Sequence, residues 1–303
     1  MKLDTLEAFI KVVETGSIHA AARDLGWSQP SLSKAIKQLE TELNASLLQR
    51  GTRGVIVTEY GKSLYRRALV MSDEMRKVHE DMHQLRDKME GKVRINLAPA
   101  AITELGPRAI RAFHDAYPDI SVYVRETLPP YTIDLLREGS IDLAVTPTYA
   151  EIPAHEFSIT RLLGVKMTVL AHRSSPYANA KSLSELVDAP WIRIGSNRGK
   201  SIYLDRVFQD AGLKTPHIGI ECQTIATVLA LLAGGHFLTM LPAHVLRAGH
   251  GTDDLVAIDV ADDLKTNNIA LVHVSDRPLT RAAKLFADQL IATAHELAGQ
   301  PGY

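Results

Sequence analysis

Two short stretches carry polar side chains at a spacing that suits chemistry. The first reads QPSLSKAIK, from Gln29 to Lys37. On a helix, Pro30, Ser33, Lys34, Lys37 and Thr41 fall on one side, and Leu32, Ile36, Leu39 and Leu43 on the other. Short hydroxyls and two ammonium groups on one helix face suit phosphate oxygens and base edges. Gln29 and Ser31 stand at the start of that helix, where free backbone N–H groups favour anions. The second stretch is GSNRGKS, Gly195 to Ser201, which follows an apolar run and opens an amphipathic one. A phosphate loop needs four residues between its glycines, and this stretch has three, which excludes a nucleotide-binding loop. What remains is an anion-friendly corner with Ser196, Asn197 and Ser201 as hydrogen-bonding groups beside Arg198 and Lys200. The alternative in each case is a solvated polar surface with no ligand. The twelve histidines show no metal-ligand spacing on one helix, and no nucleophile elbow is present. No metal and no cofactor are therefore expected. The single cysteine, Cys222, lies in an apolar run and reads as a core thiol, with no intrachain disulfide possible.

The elements that must position the first stretch read clearly. Ser17 can cap a helix in which Ile18, Ala21, Ala22 and Leu25 form one apolar stripe, ended by Gly26. Ser28 caps the next helix, with Pro30 in its first turn. Helix, glycine turn, helix is the geometry that lays a second helix in the DNA major groove, although an αα-hairpin has the same outline. Leu3, Leu6, Phe9, Ile10 and Val13 give a supporting first helix. After the second stripe, SLLQRGTRGVIVT reads as two short strands around RGTRG, with Arg50 and Arg53 flanking the tip. From there they can reach phosphates or the minor groove.

Thr58 opens a long helix. Leu64, Ala68, Met71, Met75, Val78, Met82, Leu85 and Met89 alternate steps of four and three, a heptad seam that Gly91 closes. About thirty residues at 1.5 Å each span roughly 45 Å. Such a stripe needs a partner, either another copy or the rest of its own chain.

Length and composition set bounds. The chain has 303 residues, enough for two or three cored domains, with 46% hydrophobic and 23% charged residues. The net charge is −1, so any attraction for nucleic acid must come from local placement of Lys34, Lys37, Arg50 and Arg53. MKLDTLEAFIKVV is interrupted by charge and does not read as a signal peptide, and no apolar run approaches a membrane span. A cytoplasmic protein without a membrane partner is expected.

From MKLDTLEAF through SIHAAARDLGWSQPSLSKAIKQLE to TEYGKSL, the first sixty-odd residues closely resemble the LysR-type transcriptional regulators. The shared order is a first helix, a glycine-serine entry, an alanine-rich helix, a serine-glutamine-proline-serine step and an L-x-x-L-E helix. Leu48 stands where relatives commonly have phenylalanine, a packing variation. Downstream, LREGSIDLAVT and the glycine pair leading into FLTMLP extend the resemblance over nearly the whole chain. It implies a winged helix-turn-helix on promoter or operator double-stranded DNA, with Gln29, Pro30, Ser31, Ser33, Lys34, Lys37, Arg50 and Arg53 at the interface. It further implies antiparallel pairing of the long helix into a dimer, assembly to a tetramer, and recruitment of RNA polymerase as one route of action.

The rest alternates strand and helix from VRINLA to TRAAKLFADQLIATAHELA, which predicts parallel sheets faced by helices. Two α/β lobes joined by strands near 162–165 and 265–269 match the arrangement of periplasmic binding proteins, with ligand held between the lobes. The expected division is a winged helix-turn-helix over 1–58, a linker helix over 59–90 and an effector-binding domain over 91–303. Lobe I of that domain takes 91–162 and 267–303, and lobe II takes 163–266. In the family, the GSNRGKS corner lines the cleft of the second lobe. The matching corner of the first lobe is APAAIT, and many relatives place a serine there to hold the effector's carboxylate. Here it offers Ala100 and Ala101, with Thr103 the nearest hydroxyl, and Thr127 and Thr146 at the ends of the next strands. Ser196, Asn197, Arg198 and Ser201 favour a small organic anion, whereas the missing serine points to either a more apolar ligand or binding through backbone N–H groups. The rivals are an enzyme with an appended DNA-binding domain and an effector-independent architectural DNA binder. The first needs convergent titratable residues that cannot be assembled here. The second needs a dispensable C-terminal half.

Overall fold

The structure, a computed structural model, describes residues 1–51, 54–84, 89–148, 152–195, 202–248 and 252–299. The chain forms two compact units that divide near residue 85.

The N-terminal unit holds α1 (Leu3–Thr15), α2 (Ile18–Leu25), α3 (Gln29–Leu43), β1 (Leu48–Gly51), β2 (Gly54–Val57) and α4 (Glu59–Gln84). The Ser17 hydroxyl accepts from Ala20 N–H and caps α2, and Gly26 ends it in the left-handed conformation that glycine adopts without strain. Phe9 and Val12 of α1, Ala21 and Ala22 of α2, and Leu32, Ile36 and Leu39 of α3 share one core with Leu47. The two alanines let α2 and α3 approach closely. Leu43, expected on the buried side, is exposed, because it occupies the last position of α3 and the chain turns away at Asn44. Leu6 and Ile10 of α1 bury a second patch with Ala68 of α4.

In α4 the seam divides. Ala68 is buried and Leu64 packs against the N-terminal core, whereas Met71, Met75, Val78 and Met82 are 38–51% exposed. The described helix ends at Gln84, short of the expected Gly91. Leu85 lies outside the described residues. Met89 leaves the seam and packs on the core of the C-terminal unit, because the strand that follows carries it there.

The C-terminal unit begins with β3 (Gly91–Leu97), α5 (Pro99–Ile102), α6 (Leu105–Ala116), β4 (Ile120–Arg125), α7 (Tyr131–Arg137) and β5 (Leu143–Pro147). It continues through β6 (Phe157–His172), β7 (Trp191–Ile194), α8 (Ile202–Asp210), β8 (Ile218–Cys222) and α9 (Ile225–Leu232). It closes with β9 (Thr239–Pro242), β10 (Leu255–Ile258), β11 (Thr266–Val274) and α10 (Arg281–Leu297). β3 runs parallel to β4 and β5, and β11 lies antiparallel between β5 and β6. Phe113 of α6 and Phe286 of α10 meet edge to face over this sheet, with ring centroids 4.9 Å apart. This is lobe I. Lobe II is built on the second half of β6, which pairs with β9 and β10, and on the parallel pair β7–β8. The 16-residue β6 thus serves both lobes, and β11 returns beside it.

Three local features depart from a plain alternation of strand and helix. The segment ITELGPRAIRAFHDAYP is not one helix, because the backbone breaks at Glu104 and leaves the APAAIT corner as the separate turn α5. LSELVDA forms a single 3₁₀ turn, Leu183–Leu186, whose capping box joins Ser182 and Glu185. β10 has no counterpart in the sequence reading, as its four residues carry only one alternation.

Candidate nucleic-acid interface and ligand cleft

The Ser28 hydroxyl accepts from Ser31 N–H at 3.2 Å and donates to Ser31 Oγ at 2.8 Å, which fixes the first turn of α3. Gln29, Pro30, Ser31, Lys34 and Lys37 are exposed on this helix, and Ser33 is half-buried. Lys34 and Lys37 have no ion-pair partner among the described residues, so both ammonium groups are free for an anion. Arg50 pairs its backbone with Val55 in the wing. Its side chain, and all of Arg53, lie outside the described residues.

Contacts that the sequence reading did not assign hold the wing to α3. The Glu40 carboxylate, at the end of the L-x-x-L-E pattern, accepts from Leu47 N–H at 2.7 Å and from Leu48 N–H at 3.2 Å. The Thr58 hydroxyl donates to Ser46 C=O at 2.7 Å and accepts from Gly61 N–H at 3.0 Å. It therefore caps α4 and ties it to the entry of β1. On the other side of the wing, Val55 N–H donates to Gly16 C=O at 2.9 Å. A Cβ on Gly54 would come within 2.6 Å of that oxygen, so glycine is required where β2 meets the α1–α2 corner. Partners seven or more residues away leave no periodic trace, which is why only the motif position of Glu40 was visible.

In the C-terminal unit a cleft of about 560 Å³, part of it open to solvent, lies between the lobes. Its walls come from α5, from the ends of β5, β7 and β9, and from the crossing strands β6 and β11. Strand ends are where open α/β sheets take ligands. Ala100 lines it, as do Pro99, Leu128, Ile192, Met240 and Leu241. Ala101 packs in the core of lobe I instead. The Thr127 hydroxyl bonds Asn96 Oδ1 at 2.7 Å and lies 2.9 Å from the Thr132 hydroxyl, a network inside lobe I. Thr103 and Thr146 have buried hydroxyl oxygens without a partner, and neither lines the cleft. Ser196, Asn197, Arg198 and Ser201 lie outside the described residues.

Polar groups in the cleft are few. Arg193 is held by Asp205 at 3.3 Å and Glu221 at 3.2 Å. The Thr239 hydroxyl donates to Ile192 C=O at 3.0 Å, and the Tyr203 hydroxyl donates to Leu264 C=O and, at 3.0 Å, to Lys265 C=O. Asn267, on β11, is buried, and its Oδ1 has no partner. Across the lobes, Glu126 Oε1 accepts from Ile225 N–H at the start of α9 at 2.8 Å, and burial raises the carboxyl pKa. Among the described residues no group of three or more histidine, cysteine or acidic side chains is placed to hold a metal, and no helix is long and apolar enough to cross a membrane.

Residues 3–62 match the bacterial regulatory helix-turn-helix protein, lysR family, and residues 86–294 match the LysR substrate binding domain. The chain belongs to the LysR family. Relatives of this LysR-type transcriptional regulator include the HTH-type transcriptional regulator TdcA of Escherichia coli (strain K12). That protein is 23% identical, and the match covers 95% of this chain and 91% of TdcA. The RuBisCO operon transcriptional regulator of Allochromatium vinosum is 25% identical, with 97% of each chain covered. Among solved structures, that of CbnR, a LysR family transcriptional regulator, has a TM-score of 0.73 at 20% identity, covering 97% of this chain and 99% of CbnR. Full-length CbnR complexed with its target DNA has a TM-score of 0.71 at 20% identity, covering 98% and 99%. The LysR-type N-terminal helix-turn-helix is thus a DNA-binding module, and the two-lobed unit is a LysR substrate-binding domain.

Proposed function

We propose that this LysR-type regulator binds operator DNA through α3 and the wing and reports a small molecule held between its two lobes. The proposed division is DNA binding over 1–58, pairing over 59–90 and effector binding over 91–303. The observation that carries the DNA half is the free, exposed pair Lys34 and Lys37 on a helix whose opposite side packs through Leu32, Ile36 and Leu39. Ser33, Lys34 and Lys37 enter the major groove, Gln29 and Ser31 lie by the sugar-phosphate backbone with Pro30 at the same interface, and Arg50 and Arg53 serve the wing. Exposed methionines along α4 support pairing with a second copy, and the resemblance extends this to a tetramer working in the cytoplasm and acting on RNA polymerase at the promoter. The relatives are transcriptional regulators, which supports regulation without catalysis.

The organic-anion expectation draws on Arg198 and Lys200, outside the described residues, and the described lining does not favour it. Ligand binding shifts the protein between arrangements only by its difference in affinity for them. The test is fluorescence anisotropy on a duplex recovered from random sequence by in vitro selection. Lys34→Ala should lose about 1–3 kcal/mol on that duplex if it reads a base, and Lys37→Ala should flatten the salt slope by about one if it holds a phosphate. Unchanged affinity in both variants, with the fold intact, would sink the assignment of this face.

A further inference from the structure

The inference here rests on the reading of the cleft as a small-molecule site and concerns what the site takes. We propose that the ligand is uncharged and mostly apolar, and that its one polar group hydrogen-bonds the carboxamide of Asn267.

Three observations converge. The first is the wall itself, which is largely aliphatic on both lobes. The second is Arg193, the only cationic side chain among the described residues of the lining. Its side chain is 13% exposed, and Asp205 and Glu221 hold its two terminal nitrogens, leaving the buried Nε without a partner. One guanidinium and two carboxylates sum to −1, so a ligand carboxylate arriving there meets net repulsion instead of a free cation. Burying a charge without a partner is costly, whereas an apolar body gains from leaving water. The third is Asn267. It is 5% exposed, lines the cleft where the chain recrosses between the lobes, and has an Oδ1 with no partner. The neighbouring hydroxyls of Thr239 and Tyr203 already donate to backbone carbonyls. A buried acceptor left unmet is unfavourable, and a ligand hydroxyl or amide N–H would satisfy it. With the carboxamide turned over, Nδ2 would meet a ligand carbonyl instead.

The probes are matched sets: benzamide, benzyl alcohol, benzoate and benzylamine, and hexanamide against hexanoate. Binding to the full chain is read by saturation-transfer NMR, with calorimetry for affinity. The amides and the alcohol should bind at least tenfold tighter than their charged counterparts. Asn267→Leu, and the milder Asn267→Ser in case the larger side chain disturbs folding, should weaken the amides at least tenfold without lowering the melting temperature. Carboxylates or amines binding as well as the neutral compounds would overturn the proposal, as would neutral binding indifferent to Asn267. Carboxylate binding that Leu128→Trp abolishes would leave the cleft a ligand site and refute only its class. If no probe binds and Leu128→Trp leaves DNA affinity unchanged, both the class and the cleft reading fail.

Discussion

Glu40 illustrates how much one side chain decides at the residue scale. Its carboxylate accepts two backbone N–H groups at the turn from α3 into the wing, and Leu47, which donates one of them, is buried. Hydrogen bonds to a charged group are worth roughly 1.5–3 kcal/mol, and a buried N–H left unmet loses its compensation. Glu40→Ala should weaken the N-terminal unit by about that amount. The readout is faster amide hydrogen exchange at Leu47 and Leu48, together with weaker DNA binding as the wing loses its register. Glu40→Gln keeps an acceptor and should retain most of the protection. Equal exchange in all three proteins would show that the turn holds without this residue. The polar face of α3 was legible because helical periodicity spells it out. The Glu40 bond was not, because it joins groups across a turn with no periodic signature. The cleft was legible only in part. Ala100 could be located from the strand-to-helix corner, whereas Arg193 and Asn267, on strands of different sheets, meet only as parts of one cleft wall.

At the scale of elements, α4 is an amphipathic helix whose stripe is half used. Leu64 and Ala68 face their own domain, and the four apolar residues from Met71 to Met82 stay exposed along the described helix. Exposed large apolar side chains at heptad spacing favour pairing with a like helix. Met75→Glu combined with Val78→Glu should weaken self-association at least tenfold, read as a lower mass in sedimentation equilibrium at micromolar concentration. An unchanged mass would place the subunit contact elsewhere. The long helix was readable because its seam repeats for several turns. The short pieces, α5, the 3₁₀ turn and β10, are four residues each and too brief for any period to register. Their form is set by tertiary packing, as with Leu183 and Leu186, whose side chains are both buried in lobe II.

At the scale of the whole molecule, the C-terminal unit is held across its cleft by polar contacts. Arg247 of lobe II reaches Glu104 of lobe I at 3.2 Å, and Glu126 of lobe I meets the α9 terminus of lobe II. His244, beside Glu104, Arg247 and the Ala100 backbone, is buried, and burial lowers its pKa to about 4 against the opposing pull of Glu104. The unfolded chain takes up this proton near pH 6.5 and the folded chain only near pH 4. Stability therefore falls as the pH drops through that window, by up to roughly 3 kcal/mol from this group. His244→Gln should remove most of that acid slope in melting temperature measured from pH 7 to 4, and an unaltered slope would assign it to other groups. A different consequence follows from β6 and β11. The lobe I sheet places β11 between β5 and β6, and the lobe I core needs Phe286, Leu290 and Leu297 of α10. A growing chain therefore leaves lobe I unfinished until α10 has been made, while the DNA-binding head, built from residues 3–62, can fold long before. A chain halted after β10 would therefore carry a folded helix-turn-helix beside an unfinished substrate-binding domain. Completion of α10 is thus what joins a finished substrate-binding domain to a head that can fold without it.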